Sequence, residues 1–211
     1  QAAGEWLALA DALTAAGGRV LVLPAADTSS ALSGMMYTAN AGAWLGGMFV
    51  ISRMKAAHRV AEAEHIESFC RRAKLPYERL PGDATWEGQA EIATLPGHRF
   101  ILTYGVRSDV ASVARVKERL PTGAKTLVVK IREPYFHGDV CLSALATPHG
   151  PVLLACAEAL VSCSLAELAE FAQDVGVIAV SEADTLAYAC NALCEGATWL
   201  VPPGLSAPLR E

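Results

Sequence analysis

Tyr135-Phe136-His137-Gly138-Asp139 sets an imidazole two residues from a carboxylate. On an extended segment that spacing sends both side chains to the same side. Imidazole moves protons near neutral pH, and a carboxylate beside it holds a cation. A second carboxylate, Glu87 in Trp86-Glu87-Gly88-Gln89, stands before a glycine at a strand entrance, where it can orient an imidazole as a triad acid does. Asn40, in Met36-Tyr37-Thr38-Ala39-Asn40-Ala41-Gly42, offers an amide to a ligand or simply tolerates a left-handed turn. Taken singly, each also reads as structure: a capping histidine, a turn aspartate and a solvated glutamate look the same.

Their spacing adds a second signal. Asn40, Glu87, Asp139 and Asn191 are separated by 47, 52 and 52 residues, a period of the size that marks propellers and solenoids. The intervening sequence repeats as well. Apolar residues predict paired strands at 41–45 and 48–51, at 89–95 and 99–104, and at 140–146 and 151–156. Helical spacing follows each pair: Val60, Ala63, Ile66 and Cys70; Val110, Val113, Ala114 and Leu120 after Ser108-Asp109; and Leu165, Leu168, Ala169 and Ala172 behind the capping box Ser164/Glu167. Single strands at 77–80, 126–131 and 177–180 complete the units. Each unit is therefore strand–strand–helix–strand, and a fourth starts at Asn191, with 192–196 turning into 199–201. Ahead of them, Trp6, Leu9, Ala10 and Leu13 predict a helix stopped by Gly17-Gly18, then a buried strand at 19–23. If the repeat is real, the polar residues meet on a common axis; a generic α/β sandwich with chance spacing is the alternative.

Composition removes several classes. The 211 residues are 53% hydrophobic and 18% charged, a core-forming balance. Seventeen Lys+Arg against 22 Asp+Glu leave a net charge of −5, with no basic run to track a phosphate backbone, so no nucleic-acid partner is expected. The longest apolar runs, 41–52 and 151–160, are broken by Gly or Glu and fall short of the about 20 residues a membrane span needs. Six cysteines, none in a C-x-x-C pair, suit reduced core residues of a cytoplasmic protein. No Walker loop, G-x-G-x-x-G or clustered His/Cys set is present, so neither a nucleotide nor a metal cofactor is expected. His58, His65, His98 and His149 read as surface or capping residues.

The order Y-T-A-N-A-G, R-x-x-E, W-E-G, G-x-R-S, F-H-G-D and C-N-A-L resembles the guanidino-group-modifying enzymes of the pentein superfamily: arginine deiminases, arginine dihydrolases, dimethylarginine dimethylaminohydrolases and amidinotransferases. The resemblance runs from about Trp6 to Pro203. It implies an α/β propeller with its site on a pseudo-fivefold axis, no cofactor, and a small guanidino substrate. It also implies roles. His137 is the general acid/base, Glu87 holds its ring, and Asp139 grips two guanidinium N–H groups. Asn40 takes the second guanidinium-contacting position, where deiminases carry Asp and the dihydrolase branch carries Asn. Arg59 and Arg107 match positions that hold a substrate carboxylate, a group that the arginine fork suits. A lone amide at Asn40 would let a neutral ureido intermediate stay for a second hydrolysis.

Two departures accompany the match. The usual L-P-D before the Asn40 stretch is replaced by Leu32-Ser33-Gly34. The family's nucleophilic cysteine lies in the fifth repeat, which the period extrapolates to about residue 240. None of the six cysteines takes that place; Cys141, two residues after Asp139, reads as packing. The chain is therefore expected to be one propeller domain, 1–211, incomplete at both ends. Open strand edges would make a homo-oligomer. Amidino transfer and a non-catalytic pentein-fold binding protein are the other functions in view.

Overall fold

The computed structural model describes residues 2–24, 32–195 and 198–210. After helix α1 (Ala2–Ala15), three units share one topology. The first is β1 (Gly42–Leu45), β2 (Met48–Ile51), α2 (Glu62–Arg72) and β3 (Tyr77–Arg79). The second is β4 (Ile92–Leu95), β5 (Arg99–Tyr104), α3 (Val110–Lys117) and β6 (Lys125–Lys130). The third opens with a single turn, α4 (Gly138–Cys141), then runs β7 (Leu142–Thr147), β8 (Gly150–Ala155), α5 (Leu165–Ala172) and β9 (Gly176–Ala179). In each, an antiparallel hairpin takes a third strand in parallel across its helix, the crossover that a parallel pair requires. After α6 (Glu182–Leu186), β10 (Leu193–Glu195) and β11 (Thr198–Leu200) form a separate two-stranded hairpin, and α7 (Ala207–Arg210) follows. Among the described residues the four sheets are separate, and no sheet closes on itself.

Apolar cores lie between neighbouring units. Ala43, Val50 and Leu80 of the first unit pack with Ile92, Phe100, Val113 and Val116 of the second. Ile101, Val129 and Ile131 of the second pack with Tyr135, Leu153 and Leu168 of the third. Ile101, Val129 and Leu153 are fully buried, each such side chain contributing about 1.5–3 kcal/mol. Helix α5 starts at the expected capping box, Ser164 accepting from the Glu167 amide and Glu167 from the Ser164 amide. The β1–β2 turn places Gly46 and Gly47 at φ +57 and +83, the left-handed pair that a two-residue hairpin favours.

Three local expectations change. Residues 19–23 form no strand, and Leu21 and Val22 are exposed; among the described residues no strand pairs with them, so their backbone groups gain nothing from extension. Residues 89–91 fall in a 3-10 turn and 140–141 in a helical turn where the strands 89–95 and 140–146 were expected to begin, shortening both hairpins at their entrances. His137 and Asp139 therefore do not share one extended segment. The end of the fourth hairpin turn, Gly196, lies outside the described residues. Among the described residues, no helix is long and apolar enough to cross a membrane.

Candidate active site

Turns at the hairpin entrances carry the polar residues. Asn40 ends the 3-10 turn before β1, Glu87 precedes the turn before β4, and Asp139 lies in α4 before β7. Asn191 stands two residues ahead of β10. A turn at the end of a sheet frees its side chains from the alternation of the strand, and these converge. Asn40, Arg59, Arg107, His137, Asp139 and Asn191 all line one cavity of about 1120 Å³. Glu87 is not in the lining; it sits fully buried behind the imidazole.

The imidazole is held from both sides. His137 Nε2 lies 2.7 Å from Glu87 Oε2. An ionised carboxylate only accepts, so Nε2 carries the proton and, in the neutral ring, Nδ1 is an acceptor. Asn40 Nδ2 lies 3.5 Å from that Nδ1. The amide orientation follows from chemistry: Arg59 Nη1 donates to Asn40 Oδ1 at 2.9 Å, and a guanidinium has no acceptor. The amide oxygen must face Arg59, and its NH₂ must face the imidazole.

Arg59 is itself buried and heavily engaged. It pairs with Glu62 at 2.9 Å and donates to the Gly34 carbonyl at 2.9 Å. A Cβ at Gly34 would collide with both Arg59 and Glu62, so glycine lets the backbone approach the guanidinium. Arg107 is less constrained, its guanidinium carbon 5.8 Å from the Phe136 ring centroid, within cation–π range.

The carboxylates differ in character. Burial opposes ionisation of Glu87, but the His137 hydrogen bond, the Lys55 amide N–H and the nearby charges of His137 and Arg107 outweigh it, leaving its pKa below the usual value. Asp139 has fewer partners. Burial pushes its pKa to about 6, against smaller opposing effects of His137 and Asn191. The cysteines are quiet: burial drives Cys141 far above the ordinary thiol range and Cys190, which lines the cavity, to about 12. A thiol so shifted is protonated and inert at neutral pH. Among the described residues no group of three or more His, Cys, Asp or Glu could hold a metal ion.

Some partners escaped the sequence. Ser108 reads as a helix opener, but its hydroxyl donates to Glu91 at 2.8 Å. Glu91 itself falls inside the strand expected at 89–95 and drew no reading of its own, yet it is 2% exposed.

No family model matches the chain. It is 29% identical over 160 residues to the bifunctional arginine dihydrolase/ornithine cyclodeaminase ArgZ of Synechocystis sp., covering 75% of this chain and 22% of that protein. AgrE of Nostoc sp., of the same description, is 28% identical over 158 residues, covering 74% and 22%. The chain thus spans about a fifth of the length of these curated relatives. Among solved structures, the N-terminal domain of ArgZ, as a cysteine-to-serine variant bound to substrate, superposes with a TM-score of 0.83 at 24% identity, over 98% of this chain and 73% of that one. A dimethylarginine dimethylaminohydrolase variant, as an adduct with S-methyl-L-thiocitrulline, superposes with a TM-score of 0.71 at 22% identity, over 95% and 73%. The chain is thus similar in sequence to arginine dihydrolases and in fold to these and to a dimethylarginine dimethylaminohydrolase, enzymes of the pentein superfamily that its motifs resemble.

Proposed function

We propose that this chain supplies the cation-gripping and proton-transfer groups of a hydrolase that cleaves C–N bonds of a guanidino compound, arginine or a derivative. On this reading its three units and hairpin are blades of a pseudo-fivefold α/β propeller. The observation that carries it is convergence: Asn40 and Glu87, from two other units, hold the His137 imidazole from both sides, and Asn40, His137 and Asp139 line a single cavity.

The chemistry runs as follows. Asp139 receives two N–H groups of the planar cation in a charge-assisted pair. A cysteine thiol passes its proton to Nδ1 of His137 and attacks the guanidinium carbon as thiolate, and the C–N bond breaks as His137 hands that proton to the leaving nitrogen. Water then attacks the amidino-thioether while His137 takes its proton, and the thiolate leaves. Glu87 holds the ring through Nε2, so Nδ1 is the atom that exchanges protons. The thiolate is not one of the described cysteines, whose cavity member Cys190 is held at about 12. We assign it to sequence following residue 211. Arg107, which lines the cavity beside Phe136, receives a substrate carboxylate, and Arg59 acts by fixing the Asn40 amide. With its oxygen turned to Arg59, Asn40 points an NH₂ donor at the imidazole side of the cavity. That suits a ureido oxygen better than a second cationic N–H and supports the dihydrolase form of the reaction.

The test is calorimetric titration of the chain with L-arginine and citrulline. Arginine is expected to bind, and Asp139→Asn to weaken it by at least about tenfold, the scale of a hydrogen bond between charged groups. Arginine binding untouched by Asp139→Asn would remove the reading. Tight binding of a non-guanidino ligand would favour the non-catalytic alternative.

A further inference from the structure

We propose that Glu91 is a positioning residue for the Glu87–His137 pair, fastening the backbone of both partners with one carboxylate; this rests on the acid–base reading above. Neither partner sits in a sheet ladder. Glu87 precedes a 3-10 turn, and His137 is the extended residue ahead of α4. The isolated bridge of Trp86 to Arg53 fixes the chain beside Glu87 but does not tie it to the His137 segment, so the 2.7 Å contact gains from a further link between the two. Glu91 provides it in two directions. Its Oε2 accepts from the amide of Gly138, the residue after His137, at 3.3 Å, and from the Thr103 hydroxyl. Its Oε1 accepts from Ser108 Oγ at 2.8 Å, and that same Oγ accepts the amide N–H of Glu87 at 3.0 Å.

The donor inventory fixes the direction of each bond. The Glu87 amide can only donate, so it occupies a lone pair of Ser108, whose proton is then free for Glu91. The Gly138 amide can only donate as well. An ionised carboxylate, with acceptor sites on both oxygens, fits this set of three donors; a glutamine would turn an NH₂ toward one of them. The approach of Gly138 requires glycine, because a Cβ there would collide with the Thr103 side chain and lie 3.1 Å from the Ala90 carbonyl. Burial raises the Glu91 pKa, while the charge of His137 and the three donors oppose that rise. A carboxylate kept in so dry a place, 2% exposed, is costly without a role, since a buried charge needs compensation.

The experiment reads the His137 ring directly in this chain, by long-range nitrogen-15 correlation spectra of the imidazole, which separate the Nε2–H and Nδ1–H tautomers of the neutral ring. In the parent a single Nε2–H tautomer is expected. In Glu91→Gln and in Ser108→Ala, with the backbone fold verified by amide spectra, the other tautomer is expected to rise about tenfold, the scale of one hydrogen bond to a charged group. Thr103→Val, which leaves both backbone ties in place, should move it less. A pure Nε2–H ring in the two main variants overturns the role of Glu91 alone. Should Glu91→Gln not fold, an unchanged ring in Ser108→Ala is sufficient to overturn it. A parent ring already divided between tautomers overturns this inference together with the acid–base reading on which it rests.

Discussion

Glu87 and Asp139 are both largely buried carboxylates within electrostatic reach of one imidazole, yet their proton affinities move apart. Glu87 receives N–H groups from His137 and from the Lys55 backbone, and its pKa falls despite burial. Asp139 receives little, and burial raises its pKa to about 6. What separates them is the number of fixed donors. One side of the cavity is saturated by the protein itself. The other holds an acceptor with few donors of its own, a lack that costs stability and that, on the proposed function, a planar cation makes good.

Five experiments break or sharpen that contrast. The largest effect is expected at the saturated side. Arg59→Ala leaves Glu62 buried without its cation and frees the Asn40 amide, so denaturant unfolding should show a loss of about 3–5 kcal/mol. Glu87→Gln keeps the shape but gives up the charge-assisted bond to His137. A loss of about 1.5–3 kcal/mol at pH 7 is expected from the same measurement, and a neutral effect would mean that the pair is not formed.

Asp139 should behave in the opposite sense. Its native pKa of about 6 lies above the ordinary 3.8, so the folded chain binds more protons between those values. Its contribution to stability is present at low pH and declines as pH rises through about 6. Asp139→Asn should flatten that slope and raise the melting temperature at pH 8, although it removes the cation grip. A variant less stable than the parent at pH 8 would show that Asp139 already has a structural partner. In the parent, the arginine dissociation constant should rise about tenfold per pH unit below about 6, because the cation needs the ionised carboxylate; a flat profile would point to another acceptor. The smallest effect serves as a reference far from the cavity: Ser164→Ala removes the capping box of α5 and should cost about 1 kcal/mol without altering arginine binding.

Legibility divided along similar lines. The hairpins, the third strands and the α5 cap were readable because each depends on local apolar period or on residues three apart. The entrances to the second and third hairpins were not. The apolar runs that follow, 92–95 and 142–146, extend the strand reading back to 89 and 140, but the turns there are set by partners far along the chain, as where the Gly138 amide meets Glu91. Residues 19–23 show the same limit from the other side: an apolar run has strand character in sequence, but it becomes a strand only where a partner supplies hydrogen bonds.

The sequence by itself determined the strand–strand–helix–strand units, their period and the residue types at each entrance, because those follow from local periodicity, capping and turn chemistry. Only the tertiary structure decided which polar groups meet: that Arg59 serves Asn40 and Glu62, that Ser108 leaves the helix cap for Glu91, and that Glu87 lies behind the ring rather than in the cavity. Apart from Arg59–Glu62, one turn apart, those choices join donors and acceptors 17, 19 and 50 residues apart. Burial makes an unpartnered polar group costly, so the fold settles each pairing at once, and no local stretch of sequence contains the answer.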